Sequence, residues 1–189
     1  MKKRCSWCEK EQIYIDYHDH EWGMPIHDDQ KLFEFIILEG MQSGLSWLTV
    51  LKKRENFRLA FDYFDPLKIA HYDQGKIASL MQNPGIIRNH AKITATIKNA
   101  RAFLHLQEKY GSFDNYIWRF TEGKTLHNAW HSLKNLPNHS PESDAMAKDL
   151  KCRGFSFIGT TTCYAHMQAT GMINDHLVDC FRYSELKAL

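Results

Sequence analysis

Four residues near the two ends of the chain carry metal-binding chemistry: Cys5 and His18 near the start, His176 and Cys180 near the finish. Thiolate and imidazole together suit tetrahedral Zn²⁺. Four protein ligands leave no open position for a substrate water, so an ion held this way braces the fold and takes no part in catalysis. His176-x3-Cys180 has the one-turn spacing that puts two ligands on one helix face, while Cys5-x12-His18 has the reach of a loop or short hairpin. An ion shared by both ends would close residues 1–189 into one domain. Spacing leaves two other readings open. The four are unrelated buried residues, because positions 19–175 separate the couples, or Cys8 of Cys5-x2-Cys8 replaces Cys5 as ligand or forms a redox pair with it.

A second candidate is a carboxylate. Leu32 to Gly40 is apolar nearly all round except for Glu34 and Glu39, and a carboxylate turned into a core is costly without partners. Glu34 sits nearer the polar start; Glu39 stands at the apolar end, close before Trp47, and is the functional candidate. A helix-end glutamate in water is the ordinary alternative. Trp7, Tyr14, Tyr17, Trp22 and Trp47 crowd the first quarter. Aromatic rings beside a carboxylate can sandwich a flat, electron-poor ring and bond its polar edge, although such clusters also serve simply as core. Tyr17 adjoins the candidate ligand His18, whose fixed position would hold it rigid.

A third candidate is Asn83-Pro84-Gly85 between two helical stretches, the form of a helix-hairpin-helix over about residues 77–99. Gly85 permits a tight turn, and successive amides opening the next helix can grip one phosphate, reading backbone and not bases. Arg88, His90 and Lys92 add positive charge. An ordinary helix-turn-helix corner has the same turn chemistry.

The elements that position these groups are helical, and the fold class is all-α. Asp28 or Asp29 caps a helix through Gln42, Ser46 one through about Asn56, and Asp65-Pro66 opens another. A short helix over 76–82 precedes the turn, and a long one from about Asn89 to Lys109 ends at Gly111. Ser112 starts a further helix; residues 121–139 lack a period and wander over the surface. Ser140-Pro141 reopens helix up to Gly154, and Thr160 to Ala169 forms the last, ended by Gly171. The tail Arg182 to Leu189 is read as frayed.

At 189 residues with 43% hydrophobic content, the chain suits one core. Five scattered cysteines are no disulfide framework and fit a reducing cytosol, and the basic start lacks the apolar stretch of a secretion signal. No run reaches transmembrane length. A net charge of +2 does not by itself demand nucleic acid. A monomer is the default.

Arg4-Cys5-x-Trp7, Tyr17-His18-Asp19-x-Glu21-Trp22-Gly23, Leu38-Glu39-x-x-Gln42-x-Gly44-Leu45-Ser46-Trp47, Gly85-Ile86-Ile87-Arg88, Gly154-Phe155-x-Phe157-x-Gly159-Thr160-Thr161 and Asn174-Asp175-His176-x3-Cys180 occur in this order. Together they resemble the 3-methyladenine DNA glycosylase I family from about Arg4 to Arg182. The resemblance implies a largely helical bacterial enzyme of cytoplasmic base-excision repair, related to the helix-hairpin-helix glycosylases. Such an enzyme flips 3-methyladenine out of alkylated double-stranded DNA and releases it by hydrolysis. It implies one structural zinc on Cys5, His18, His176 and Cys180, with Cys8 a spare thiol. The base would lie among Tyr17, Trp47 and Glu39, with Tyr14 and Trp22 close by. Gly85 and Arg88 would meet the DNA backbone, and Leu45 would plug the vacated stack. Hairpin glycosylases that also nick DNA carry a lysine after the hairpin arginine and an aspartate about eighteen residues on; this chain has Asn89 and, near the second place, Gln107. Base removal without strand cleavage is the expectation. The alternatives are a zinc-stabilised hairpin module that only binds DNA, and a zinc hydrolase with three of the four ligands.

Overall fold

The structure is a computed structural model, and it describes residues 2–189. Eleven α-helices follow one another among the described residues: α1 (Gln12–His20), α2 (Asp29–Gln42), α3 (Trp47–Lys52), α4 (Arg54–Ala60), α5 (Pro66–Ala70), α6 (Gln74–Gln82), α7 (His90–Tyr110), α8 (Phe113–Ile117), α9 (Pro141–Cys152), α10 (Thr160–Ala169) and α11 (Phe181–Lys187). A parallel pair of two-residue strands, β1 (Leu126–His127) and β2 (Ile173–Asn174), is the one exception to the all-α reading.

Short polar side chains start these helices by taking up amides that have no partner inside the helix. Asp28 accepts from Lys31 N, Ser46 from Thr49 N, Asp65 from Leu67 N and Lys68 N, Asn89 from Lys92 N, and Ser112 from Asn115 N. Ser140 and Ser143 cap each other reciprocally ahead of α9. Gly111, at φ +82°, ends α7 in a conformation that a side chain would disfavour.

α2 is the central element: every residue from Leu32 to Met41 is buried. α7, α8 and α10 pack on it, and α9 packs on α10. Ile93, Ile97, Ala100, Phe103 and Leu106 make the inward stripe of α7, with the Phe103 ring 4.8 Å from Phe33 and 4.4 Å from Phe113. A smaller apolar cluster of Tyr17, Trp22, Phe35, Leu51, Ala169 and the two cysteines Cys5 and Cys180 lies where the chain ends meet.

Four expectations are revised. The helix expected from Ser46 to about Asn56 divides at Lys53, whose φ of −102° and ψ of 0° separate α3 from α4. His176 and Cys180 share no helix; Cys180 is the residue preceding α11, and His176 lies in the turn before it. The tail read as frayed is α11, anchored by buried Leu186. Residues 121–139 do not simply wander: Leu126 N donates to Met172 O, Asn128 N to Asn174 O, and Val178 N to Trp130 O, so this stretch braces the segment that carries His176. No helix among the described residues is long and apolar enough to cross a membrane.

Candidate active site and metal centre

Cys5, His18, His176 and Cys180 come together with their donor atoms all within 4.8 Å of one another. All four are buried. Cys180 Sγ lies 3.5 Å from both His18 Nε2 and His176 Nδ1, and Cys5 Sγ lies 3.9 Å from His176 Nδ1. The outer nitrogens fix which inner nitrogens face the cluster. His18 Nδ1 donates to Asp19 Oδ1 at 2.8 Å, and Asp19 is itself held by Arg4 Nε and Nη2. His176 Nε2 donates to Trp22 O at 3.0 Å. Each imidazole therefore turns a lone pair inward, the arrangement by which an outer acceptor orients a metal-binding histidine. The two sulfurs are not equivalent: their mutual interaction and the two imidazoles hold Cys180 toward thiolate, while Cys180 and burial hold the Cys5 proton on. This donor set could hold a metal ion. Cys8 is not part of it: its thiol donates to Cys5 O, and burial pushes it up to about 11.

The aromatic residues stand on this cluster. The Trp22 ring lies 4.5 Å from His176, edge to face, and Trp7 lies 5.0 Å from Trp22 and 4.9 Å from Tyr14. α1, which brings Tyr14 and Tyr17 to the site, is followed by Glu21, whose carboxylate accepts from Arg54 Nη1 at 2.5 Å. Across the opening, the Trp47 ring at the start of α3 lies 5.5 Å from Tyr17. Together they line a cleft of about 480 Å³, within the range of small-molecule sites.

Glu39 forms part of the wall of this cleft. It is 5% exposed, and no described residue donates a hydrogen bond to its carboxylate. Burial alone pushes the carboxyl up to about 8. Burial and the neighbouring Glu39 raise the Tyr17 phenol well above its ordinary value, so Tyr17 presents a neutral ring.

The sequence reading did not include the far wall, formed by Thr161, Thr162, Ala165 and Gln168 of α10. Their spacing puts them on one helix face, yet four small or neutral side chains give no chemical signal of their own. Gln168 Nε2 donates to buried Asp175, which also accepts from Tyr164 OH, Trp130 Nε1 and Asn128 Nδ2 at 2.6 to 2.8 Å. Asp175 thus ties α10 and the β1 segment to the loop bearing His176. Trp7 was counted among the aromatics but not as a wall of the cleft, which it is.

Leu45 is 39% exposed, on a loop that Gly44, itself lining the cleft, turns at φ +83°. Gln42 Nε2 donates to Leu45 O at 2.5 Å and closes that loop. Gly85 lies in the turn between α6 and α7, but not for a positive φ. A Cβ there would come within 3.2 Å of Asn56 and 3.0 Å of Asn83 Oδ1, so glycine serves close approach. Its amide donates to Asn83 Oδ1, and Lys53 Nζ donates to the Pro84 and Gly85 carbonyls. Arg88 is exposed beside this turn. Lys92, grouped with Arg88 and His90 in the sequence, is buried and points inward.

The helical fold thus sets a buried carboxylate without a partner in a ring-lined cleft. A family model described as methyladenine glycosylase matches residues 7–183, and the chain belongs to that family. It is 52% identical over 180 residues to the DNA-3-methyladenine glycosylase of Haemophilus influenzae, covering 95% of this chain and 97% of that one. It is 48% identical over 181 residues to DNA-3-methyladenine glycosylase 1 of Escherichia coli, covering 96% and 97%. A crystal structure of a 3-methyladenine DNA glycosylase I variant in complex with 3-methyladenine matches with a TM-score of 0.91 at 34% identity, covering 94% of this chain and 96% of that one.

Proposed function

We propose that this protein is a base-excision repair glycosylase that removes 3-methyladenine from alkylated double-stranded DNA. The observation that carries the reading is Glu39, a buried carboxylate without a partner in an aromatic cleft. Burying such a group has a cost that folding alone does not explain, whereas a cationic ligand would offset it. Adenine methylated at N3 bears a positive charge while attached to deoxyribose. An unstacked lesion would rest among Tyr17, Trp47, Tyr14 and Trp22, with Glu39 accepting from its exocyclic amine. Guanine offers no donor at that edge, and neutral adenine gains less from the charge.

The chemistry then needs little from the protein. The bond between the purine nitrogen and C1′ breaks, its electron pair neutralises the ring, water adds at C1′, and a proton passes to solvent. The products are free 3-methyladenine and an abasic site. Glu39 reads the lesion and favours the cationic form. Leu45 would fill the gap in the stack, and the turn at Gly85 with Arg88 would hold the backbone as a helix-hairpin-helix.

The four-residue cluster suits zinc. Sulfur and nitrogen ligands of one tetrahedral zinc stand about 3.5 Å apart given ordinary bond lengths, which agrees with the Cys180 separations of 3.5 Å. With Cys5, His18, His176 and Cys180 all engaged, no position is left for water, and the ion's role would be to join the two ends of the chain beneath the cleft.

Chromatography of bases liberated from methylated duplex tests the reading. Release of 3-methyladenine by the protein, and its loss with Glu39→Gln, is the expected result. Duplex binding without any released base would instead support a DNA-binding module.

A further inference from the structure

Lys92 is the third residue of α7, on the hairpin side of the molecule, yet its side chain turns into the protein. It is 7% exposed, and its ammonium donates to Met41 O at 2.8 Å and Ser43 O at 2.6 Å. No carboxylate among the described residues forms an ion pair with it. Those two carbonyls belong to the C-terminal end of α2, where helix carbonyls lack partners and the macrodipole attracts a cation. Burial lowers the lysine's proton affinity, so holding the ammonium here has a cost that the two carbonyls must offset.

That helix end has two neighbours of consequence. Glu39 precedes it by one turn, on the cleft side, and Ser43 leads through Gly44 to exposed Leu45. Lys92 is also tied to the hairpin, because its own amide donates to the Asn89 side chain that caps α7 at the end of the turn. One residue therefore joins the turn over 83–89 to the loop over 43–46. Met41 and Lys92 meet in a small pocket with Ile37 and Gly40, and the Phe157 carbonyl lies 3.5 Å from where a Gly40 Cβ would stand, so α2 is backed closely on this side.

We propose that Lys92 is a positioning residue that locks the Ser43–Ser46 loop to the hairpin, so that Leu45 enters the base stack at a fixed offset from the backbone grip. The inference rests on the glycosylase reading for the role of Leu45, but the locking itself does not.

Lys92→Met keeps the aliphatic stem and removes the donors; Lys92→Gln keeps a neutral donor and serves as the second variant where the first does not fold. In free Lys92→Met, the Leu45 amide, which donates to Gln42 O within the 43–46 loop, should exchange with deuterium about tenfold faster or more, the loss expected for charged hydrogen bonds, while residues 32–40 stay protected. Unchanged exchange at Leu45 overturns the proposal. Duplex containing an abasic-site analogue should bind more weakly to Lys92→Met and to Leu45→Ala, and the double variant should be no weaker than Leu45→Ala alone. Fully additive losses also overturn it. Affinity for free 3-methyladenine, read by tryptophan fluorescence, should not change in Lys92→Met. If Leu45→Ala leaves abasic binding intact, the plug reading fails, and the exchange result alone decides for or against the lock.

Discussion

Glu34 and Glu39 lie five residues apart on α2, both buried, and only Glu34 is paired. Glu34 accepts from Arg54 Nε at 2.6 Å and Arg58 Nη2 at 2.9 Å. Arg54 continues to Glu21 and lies over the Phe35 ring at 5.0 Å. That network is saturated and pins α1 and α4 to α2. Glu39, facing the cleft, has burial and no donor. The same side chain on the same helix serves structure at one position and is left open to a ligand at the other.

The pH dependence of turnover follows from that openness. A carboxyl raised to about 8 is largely protonated in the empty cleft at neutral pH, and only its ionised form favours a cationic lesion. kcat/KM should therefore rise with pH and level off above about 8, and Glu39→Gln should lose this limb along with roughly 10- to 100-fold in rate, the size of a charged hydrogen bond. Stability should move the other way. The folded protein holds the proton up to about 8 while the unfolded chain releases it near 4.5, so stability falls as pH rises through that window. Glu39→Gln should remove the fall. Steady-state rates and urea melts between pH 5 and 9 check both limbs.

His166 supplies an independent stability prediction. It is 1% exposed on α10, neither ring nitrogen has a partner, and burial lowers it to about 3. Replacing a buried, unsatisfied polar ring by an apolar side chain of similar size should stabilise the fold by about 1–3 kcal/mol. The unfolded chain binds a proton below about 6.5 that the folded chain refuses, so the native protein loses stability as pH falls from 6.5 toward 3. His166→Leu should melt higher than the native protein at pH 7.5 and higher still, by comparison, at pH 5. Equal melting at both pH values would mean that the ring has a partner in solution.

The sequence made α2 and α7 readable because capping residues and apolar stripes agree there: Asp28 and Asn89 open them, and Gly111 closes α7. α1 was not assigned. No side chain caps it, and Ile13, Tyr14, Tyr17 and His18 make its periodic face out of residues that read first as chemistry. The metal cluster could be named by residue type but not joined, because its halves meet only through long-range packing. That packing includes Gly171, at φ +74°, where a Cβ would fall 2.4 Å from the backbone of Met24 and Pro25. Glu39 was legible as a charge in an apolar run. The α10 wall was not, because its side chains gain meaning only from the carboxylate they face.

On the proposed zinc reading, removing the ion should unfold the protein before it alters any chemical step. The four donors are buried among apolar side chains where the chain ends meet, so without an ion these polar groups have no solvent to turn to. Chelation should lower the melting temperature and abolish base release in parallel, and added Zn²⁺ should restore both. Cys8→Ser should leave metal content unchanged, since Cys8 lies outside the cluster, whereas Cys180→Ser should lower it. Metal analysis with thermal melts reads these outcomes. A variant that keeps its melting point while losing rate would indicate an open, catalytic ion.

Strand cleavage is expected to be absent for a reason visible around the hairpin. Asn89 occupies the position at which the sequence reading looked for the lysine of hairpin glycosylases that nick DNA, and its side chain is occupied in capping α7 through Lys92 N. Gln107, near the place of their aspartate, donates to Asp29 instead. The amine of Lys92 lies close by, but it is buried and engaged by Met41 O and Ser43 O. Among the described residues no lysine lines the cleft, where an amine would be needed to form a Schiff base with the sugar. Borohydride added during turnover should trap no covalent protein–DNA species, and the abasic product should stay intact until treated with alkali. A trapped adduct that survives Lys92→Met would require another amine to reach the sugar.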